Sequence, residues 1–335
     1  MDATGLLKYA AAVVTLAVCS ACGGALRQAQ DDMSVAPSTG APNVRYTTAL
    51  PNLRPLPRYA MIVPDRRPTS KSDFEYIISD YDSYASIFDY PKSDQQIGSI
   101  KDVGGQGCTN VLYGYGRKIF WIVAAESDIA KYAVPDTQIK TLSVSEGAPS
   151  SCAMDRGGAL AVGILYGSGG GDVVIFKHES GPGTVYSTPL AEEFFDGYDN
   201  HGNLFADGFI NTNRSGFELI ELAKGSSKFV PITTSNTVQF PGSVQWDGTY
   251  LTVFDQLANA TYQYTISGTT ATLEGTVRLS GSSDCAQTWI VKGLLYCADA
   301  GNEGAEVFNY PAGGSPIAVF TGNFDLPLGV TAAKQ

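Results

Sequence analysis

Few side chains in this sequence are equipped for chemistry. Its 335 residues include two histidines, His178 and His201, and six cysteines. Two histidines cannot build a multi-His metal centre. His201 lies in "DNHGN", where Asn200, Gly202 and Asn203 are turn formers that tolerate left-handed backbone, so its imidazole is expected in solvent. His178 follows a strand-like stretch beside a Gly-rich loop and reads the same way. The acidic residues offer more. Glu192, Glu193 and Asp196 fall before the fourth unit of a repeat described below, and Asp284 before the sixth. Carboxylates are hard oxygen donors, and it is a family resemblance given below that would make these four candidate Ca²⁺ ligands. The bland alternative is solvated loop acids that keep the protein soluble. No catalytic constellation is evident.

The cysteines suggest cross-links. Cys285 and Cys297 flank "AQTWIVKGLLY". A turn centred on Val291, with Gly293 supplying the positive φ of a bulged hairpin, would set them directly opposite each other on neighbouring strands. That separation suits a disulfide; the alternative is two buried thiols. Cys108 and Cys152 follow "GQG" and "PSS" at matching positions of consecutive units. They are expected either to bridge the two units or to serve as separate small core residues. The "YGSGGGD" loop at Tyr166 to Asp172 looks phosphate-like, but no helix or Lys follows as a P-loop demands.

The elements that position these residues come from a repeat. From residue 71 onward each unit has an apolar stretch, a polar or Gly turn, a second apolar stretch, a loop, and a strand ending in an apolar or aromatic residue. The turns fall near Ser72, Gly116, Arg156, His201, Asp247 and Lys292, at spacings of 44, 40, 45, 46 and 45. The third stretches pair Ile87 with Tyr90, Ile129 with Tyr132, Val173 with Phe176, Leu219 with Leu222, Thr261 with Tyr264, and Val307 with Tyr310. Short strands with regularly spaced turns mean an all-β fold. A period of about 44 residues with four strands is a propeller blade, and six turns predict six blades over residues 71–335. The first unit lacks its innermost strand. The C-terminal "LPLGVTAAKQ" supplies one and nothing more. Val330 is therefore predicted to pair with the strand around Tyr76 to Ser79 and close the ring. Trp121, Trp246 and Trp289 fall in or near inner strands, to pack between blades or to stack on a ligand at the channel mouth.

Composition limits the partners. The formal charge is −11 and the pI about 4.6, which leaves no Lys/Arg field for phosphate backbones and argues against nucleic acid. With 44% hydrophobic residues, 37 Gly and 18 Tyr, the chain is globular and turn-rich. At the N-terminus Lys8 precedes an apolar run from Tyr9 to Val18 that is too short to span a bilayer and reads as a signal-peptide core. Residues 22–70 are rich in Pro and Ser and read as an extended tether.

Two resemblances follow from these residues. Ser20, Ala21, Cys22, Gly23 and Gly24 resemble a bacterial lipobox, with Cys19 standing where Leu is usual. The resemblance implies a signal peptide over 1–21, lipidation of Cys22 and a place in the bacterial cell envelope. The alternative is an ordinary cleaved signal peptide. "DNHGNLFADGF" (Asp199 to Phe209) resembles the V-D-x-x-G-N-L-Y-V-x-D unit of NHL-type propellers, with "MDRGGALAVG" and "WDGTYLTVFD" as weaker matches. This implies architecture, not activity. The function expected is a lipid-anchored, non-enzymatic binding or scaffold propeller without a cofactor, taking a small molecule, glycan or protein at one face. The alternative is a metal-dependent hydrolase or lyase of the gluconolactonase-like or streptogramin-lyase-like kind. In that kind, Glu, Asn and Asp from innermost strands and their entry loops hold a divalent metal over the channel.

Overall fold

The computed structural model describes residues 74–80, 84–91, 95–101, 103–108, 119–124, 128–133, 137–167, 170–321, 324 and 326–334. The expected signal peptide and tether, Cys19, Cys22, and the turns at Ser72 and Gly116 lie outside them. No described helix is long and apolar enough to cross a membrane.

Among the described residues twenty-four strands form antiparallel, blade-like groups of four, the fourth and fifth of which join at their outer edges into one eight-stranded sheet. The first joins β1 (Phe74–Asp80), β2 (Tyr84–Phe88) and β3 (Gln96–Lys101) to the C-terminal β24 (Pro327–Lys334). The second holds β4 (Val103–Cys108), β5 (Ile119–Ala124), β6 (Asp128–Ala133) and β7 (Thr137–Ser143). The third holds β8 (Gly147–Met154), β9 (Leu160–Gly167), β10 (Gly170–Phe176) and β11 (Thr184–Ser187). The fourth holds β12 (Glu192–Tyr198), β13 (Leu204–Phe209), β14 (Phe217–Leu222) and β15 (Val230–Thr234). The fifth holds β16 (Val244–Trp246), β17 (Leu251–Asp255), β18 (Ala260–Ser267) and β19 (Thr270–Arg278). The sixth holds β20 (Cys285–Val291), β21 (Leu294–Asp299), β22 (Gly304–Asn309) and β23 (Gly313–Thr321).

The C-terminal strand closes the first sheet as expected. Val330 lies opposite Ile78, and Ala332 opposite Tyr76. The first strands of neighbouring sheets touch in sequence: β24 meets β4, β4 meets β8, β8 meets β12, β12 meets β16, and β20 meets β24. The side chains of Ser243, just before β16, and of Gln245 within it complete the circuit to β20. Tyr76 stacks on Tyr296 with ring centroids 3.6 Å apart, which packs the first blade on the last. On the outside, Thr233 and Thr234 of β15 pair in parallel with Thr270 and Ala271 of β19, so two outer edges protect each other.

The repeat's acids explain its local geometry. In the first hairpin of three blades an Asp caps the turn. Asp155 Oδ1 accepts from the Ala159 N–H at 2.6 Å, Asp199 Oδ1 from Asn203 at 2.9 Å, and Asp247 Oδ1 from Tyr250 at 2.7 Å. A second Asp lies within or at the end of the following strand and staples backbone. Asp207 holds the Gly242 N–H (3.1 Å), Asp255 the Gln239 N–H (2.7 Å), and Asp299 the Ser283 and Asp284 N–H groups (2.7 and 3.0 Å). Eleven of the twelve spaced third-strand residues are buried (Ile87, Tyr90, Ile129, Tyr132, Val173, Phe176, Leu219, Leu222, Thr261, Tyr264 and Val307), and Tyr310 is half-buried against the core.

Both expected disulfides form. Cys108 of β4 joins Cys152 of β8, binding two consecutive blades, and Cys285 joins Cys297 with Cα atoms 5.5 Å apart. The register of the second differs from the expectation. The hairpin turns at Lys292-Gly293, both at positive φ (52° and 78°), as a two-residue type I′ turn requires. Cys297 therefore faces Thr288. A bulge between Cys285 and Gln287 sets Cys285 opposite Asp299. The bond is diagonal, between same-face residues that the bulge brings close.

Candidate functional site

The site is built where the innermost strands meet, and amide side chains hold it together. Gln245 of β16 donates through Nε2 to the Ile290 carbonyl and accepts from the Ile290 N–H, both at 2.8 Å, so it pairs with β20 like a backbone unit. Ser243 Oγ accepts from the Thr288 N–H at 2.8 Å. Gln287 reaches further. Its Oε1 accepts from Val330 N–H of β24 (2.9 Å) and Gly107 N–H of β4 (3.3 Å), and its Nε2 donates to the Gly107 carbonyl (3.2 Å). Gly107 is needed there, because a Cβ would stand 2.9 Å from Thr331 Cγ2.

The candidate acids sit close in sequence but have separate fates. Glu192, Glu193 and Asp196 belong to β12 itself, not to the loop before it, and every residue of that strand is buried. Glu192 is neutralised by Arg214, whose Nε donates to Oε2 at 2.9 Å while Nη2 donates to Tyr166 Oη at 3.0 Å. Glu193 turns between blades, where Ser150 Oγ and Ser151 Oγ donate to it at 3.0 and 3.2 Å. Gly163 makes room for this carboxyl: a Cβ there would come within 1.9 Å of Oε2. Burial, then the charge of Asp196, pushes Glu193 well above the usual carboxylate range, and the Ser150 hydroxyl only partly counters this. Asp284 precedes β20, and burial followed by the charge of Asp299 pushes it up to about 7.

Asp196 is different. It is 6% exposed, and among the described residues neither carboxylate oxygen accepts a hydrogen bond. Burial pushes it up to about 7, with the nearby Ser151 hydroxyl countering only in part. It lines two adjoining cavities of about 40 and 20 Å³ among the innermost strands, with Cys152, Val244, Gln245 and Trp289. The larger also touches Met154, Tyr198 and Trp246 at the ends of β8, β12 and β16. Such volumes hold a few waters or a small head group, well short of a drug-sized ligand.

Three-carboxylate chemistry is not assembled from Glu192, Glu193, Asp196 and Asp284. Among the described residues, one trio of metal-capable groups has its ligand atoms within 4.8 Å of one another: Cys285, Cys297 and Asp299. Both of its sulfurs are in the disulfide. His201 is solvated, with a 76% exposed side chain, as its turn suggested. Trp121 is fully buried core, whereas Trp246 and Trp289 line the cavity. Sequence reasoning missed Gln245 and Gln287. Their signal was a glutamine two residues before or beside Trp in otherwise apolar inner strands, "VQW" and "AQTW".

No protein-family model matches the chain, and no curated protein matches it. Among solved structures, a chain of the nidogen/laminin complex is similar, with a TM-score of 0.61 and 11% identity. The match covers 78% of this chain and 98% of that one. At that identity the likeness concerns the fold: an all-β propeller whose C-terminal strand completes the first sheet. The two disulfides among the described residues of this protein suit an oxidising, extracytoplasmic compartment.

Proposed function

We propose that the protein is an exported, lipid-anchored, six-bladed propeller that binds its ligand and does not turn it over. One observation carries the binding half. The acids that could have gathered a metal over the channel are tied to other partners or stand apart, which leaves Asp196 facing a small cavity. The similar chain comes from a complex between two proteins, which supports a protein partner for this one. The anchoring half rests on Cys22 in its lipobox-like setting, the apolar run before it and the tether over residues 22–70. Cleavage before Cys22 would place residues 71–335 outside the inner membrane, where the disulfides persist.

The test uses the full-length protein extracted from membranes. Mass spectrometry of the mature chain should find acylated Cys22 as its first residue. A chain beginning elsewhere without a lipid removes the anchor. Incubation with aldonolactones, with and without Ca²⁺, should leave them unhydrolysed beyond the uncatalysed rate. Turnover that follows added metal removes the binding reading.

A further inference from the structure

We infer that the cavity around Asp196 receives an ammonium group, carried by a small primary amine or by a lysine side chain of a protein partner. The inference rests on reading the propeller as a binder and names the chemistry of its ligand.

A carboxylate buried without a partner is costly, and folded proteins pair such groups. Among the described residues no cation pairs with Asp196 and neither of its oxygens accepts a hydrogen bond. Its polar neighbours are committed to other partners: Ser151, which counters the burial of Asp196 only in part, donates to Glu193, Gln245 pairs with both backbone groups of Ile290, and Gln287 with Gly107 and Val330. None of the residues lining either cavity is cationic. An outside cation would hold this carboxyl ionised in place of the proton that burial otherwise keeps on it, and a protein of net charge −11 draws cations toward it.

The lining selects which cation. Ca²⁺ takes six to eight oxygens, and Mg²⁺ a strict octahedron. The larger cavity is lined chiefly by apolar and aromatic side chains, Met154, Tyr198, Val244, Trp246 and Trp289 among them, with Asp196 its one carboxylate. An ammonium group needs one anion and gains further from aromatic faces. Trp246 and Met154 line the same cavity as Asp196 and are only half-buried, which puts the ligand's alkyl chain against them and its head group at Asp196.

The experiment is a titration of full-length, detergent-solubilised protein, read by Trp fluorescence and thermal shift. The probes are n-butylammonium, Nα-acetyl-lysine amide, neutral n-pentanol and CaCl₂. Both amines should raise Tm and change the emission, while pentanol and CaCl₂ do neither. Asp196→Asn, which keeps the shape, should weaken amine binding by about tenfold to a hundredfold. Tighter binding of the lysine amide assigns the group to a protein side chain, and tighter binding of butylammonium assigns it to a free amine. An equal response to pentanol, a response to CaCl₂ alone, no amine response, or unchanged binding in D196N overturns the inference. The pentanol comparison in the unmutated protein decides the matter even if D196N fails to fold. A missing amine response leaves the general binding reading standing, whereas metal-dependent lactone turnover removes that reading whatever the amines do.

Discussion

The Val330 N–H donates to Gln287 Oε1 at 2.9 Å, and the same side chain also pairs with both backbone groups of Gly107. One glutamine thus ties together the innermost strands of the sixth, first and second blades. These strands meet edge to edge around the axis without a backbone ladder of their own, so a side-chain amide stands in for one.

Replacing Gln287 with Leu should therefore be costly. It keeps the volume roughly constant and orphans three buried backbone groups. At about 1–3 kcal/mol for each unsatisfied group, less what water recovers, a loss of about 2–4 kcal/mol is expected in denaturant unfolding. A loss under about 0.5 kcal/mol, the range of ordinary surface changes, would show that the bridge is dispensable.

The two disulfides should differ in worth. Cys108–Cys152 closes 44 residues and Cys285–Cys297 closes 12. Chain entropy gives the longer loop an advantage of about 1 kcal/mol. The Cys108→Ala/Cys152→Ala double variant should thus be less stable than Cys285→Ala/Cys297→Ala by about that amount. The reverse order would mean that tying two blades together matters less than fixing one hairpin.

Asp196 should leave a pH signature. Its carboxyl is pushed up to about 7, chiefly by burial, whereas an unfolded Asp ionises near 4. Between these values the folded protein keeps a proton that the unfolded chain has lost. Stability therefore falls as pH rises through about 4 to 7 and levels off above, by up to about 4 kcal/mol for this group. Glu193, Asp207, Asp284 and Glu306 shift upward too, each with burial as the first cause, so the overall slope is shared. The difference between D196N and the unmutated protein reports Asp196 together with its push on Glu193 and Asp207. In amine-free buffer, D196N should be the more stable at pH 8 and nearly equal at pH 4. Equal stability at both values would mean that Asp196 is not desolvated.

The architecture was legible because burial at each blade imposes the same constraint every 44 or so residues. Apolar pairs such as Val173 and Phe176 recur, and the tail around Val330 finds the only first-blade position left open. The Asp–Asp pattern of the NHL-like unit was also visible, and Asp199 with Asp207 and Asp247 with Asp255 now have structural work as turn caps and staples. What the sequence hid depends on contacts across blades. Counting from a turn centred on Val291 placed Cys285 opposite Cys297, since a one-residue bulge leaves no mark in the spacing. Glu192, Glu193 and Asp196 looked equivalent in "AEEFFDG". Their roles diverge because Arg214 and Ser150, distant in sequence, hydrogen-bond the first two, while among the described residues neither oxygen of the third accepts a hydrogen bond.

Ring closure is what brings the cavity walls and the Gln287 bridge together, so removing residues 326–335 is the most direct test. The deletion strips the first sheet of β24, whose Leu328, Val330, Ala332 and Ala333 are buried. A variant lacking this strand should lose cooperative unfolding or melt at least about 10 °C below the full-length protein. If it melts with the same midpoint and cooperativity as the full chain, the C-terminal strand does not close the propeller.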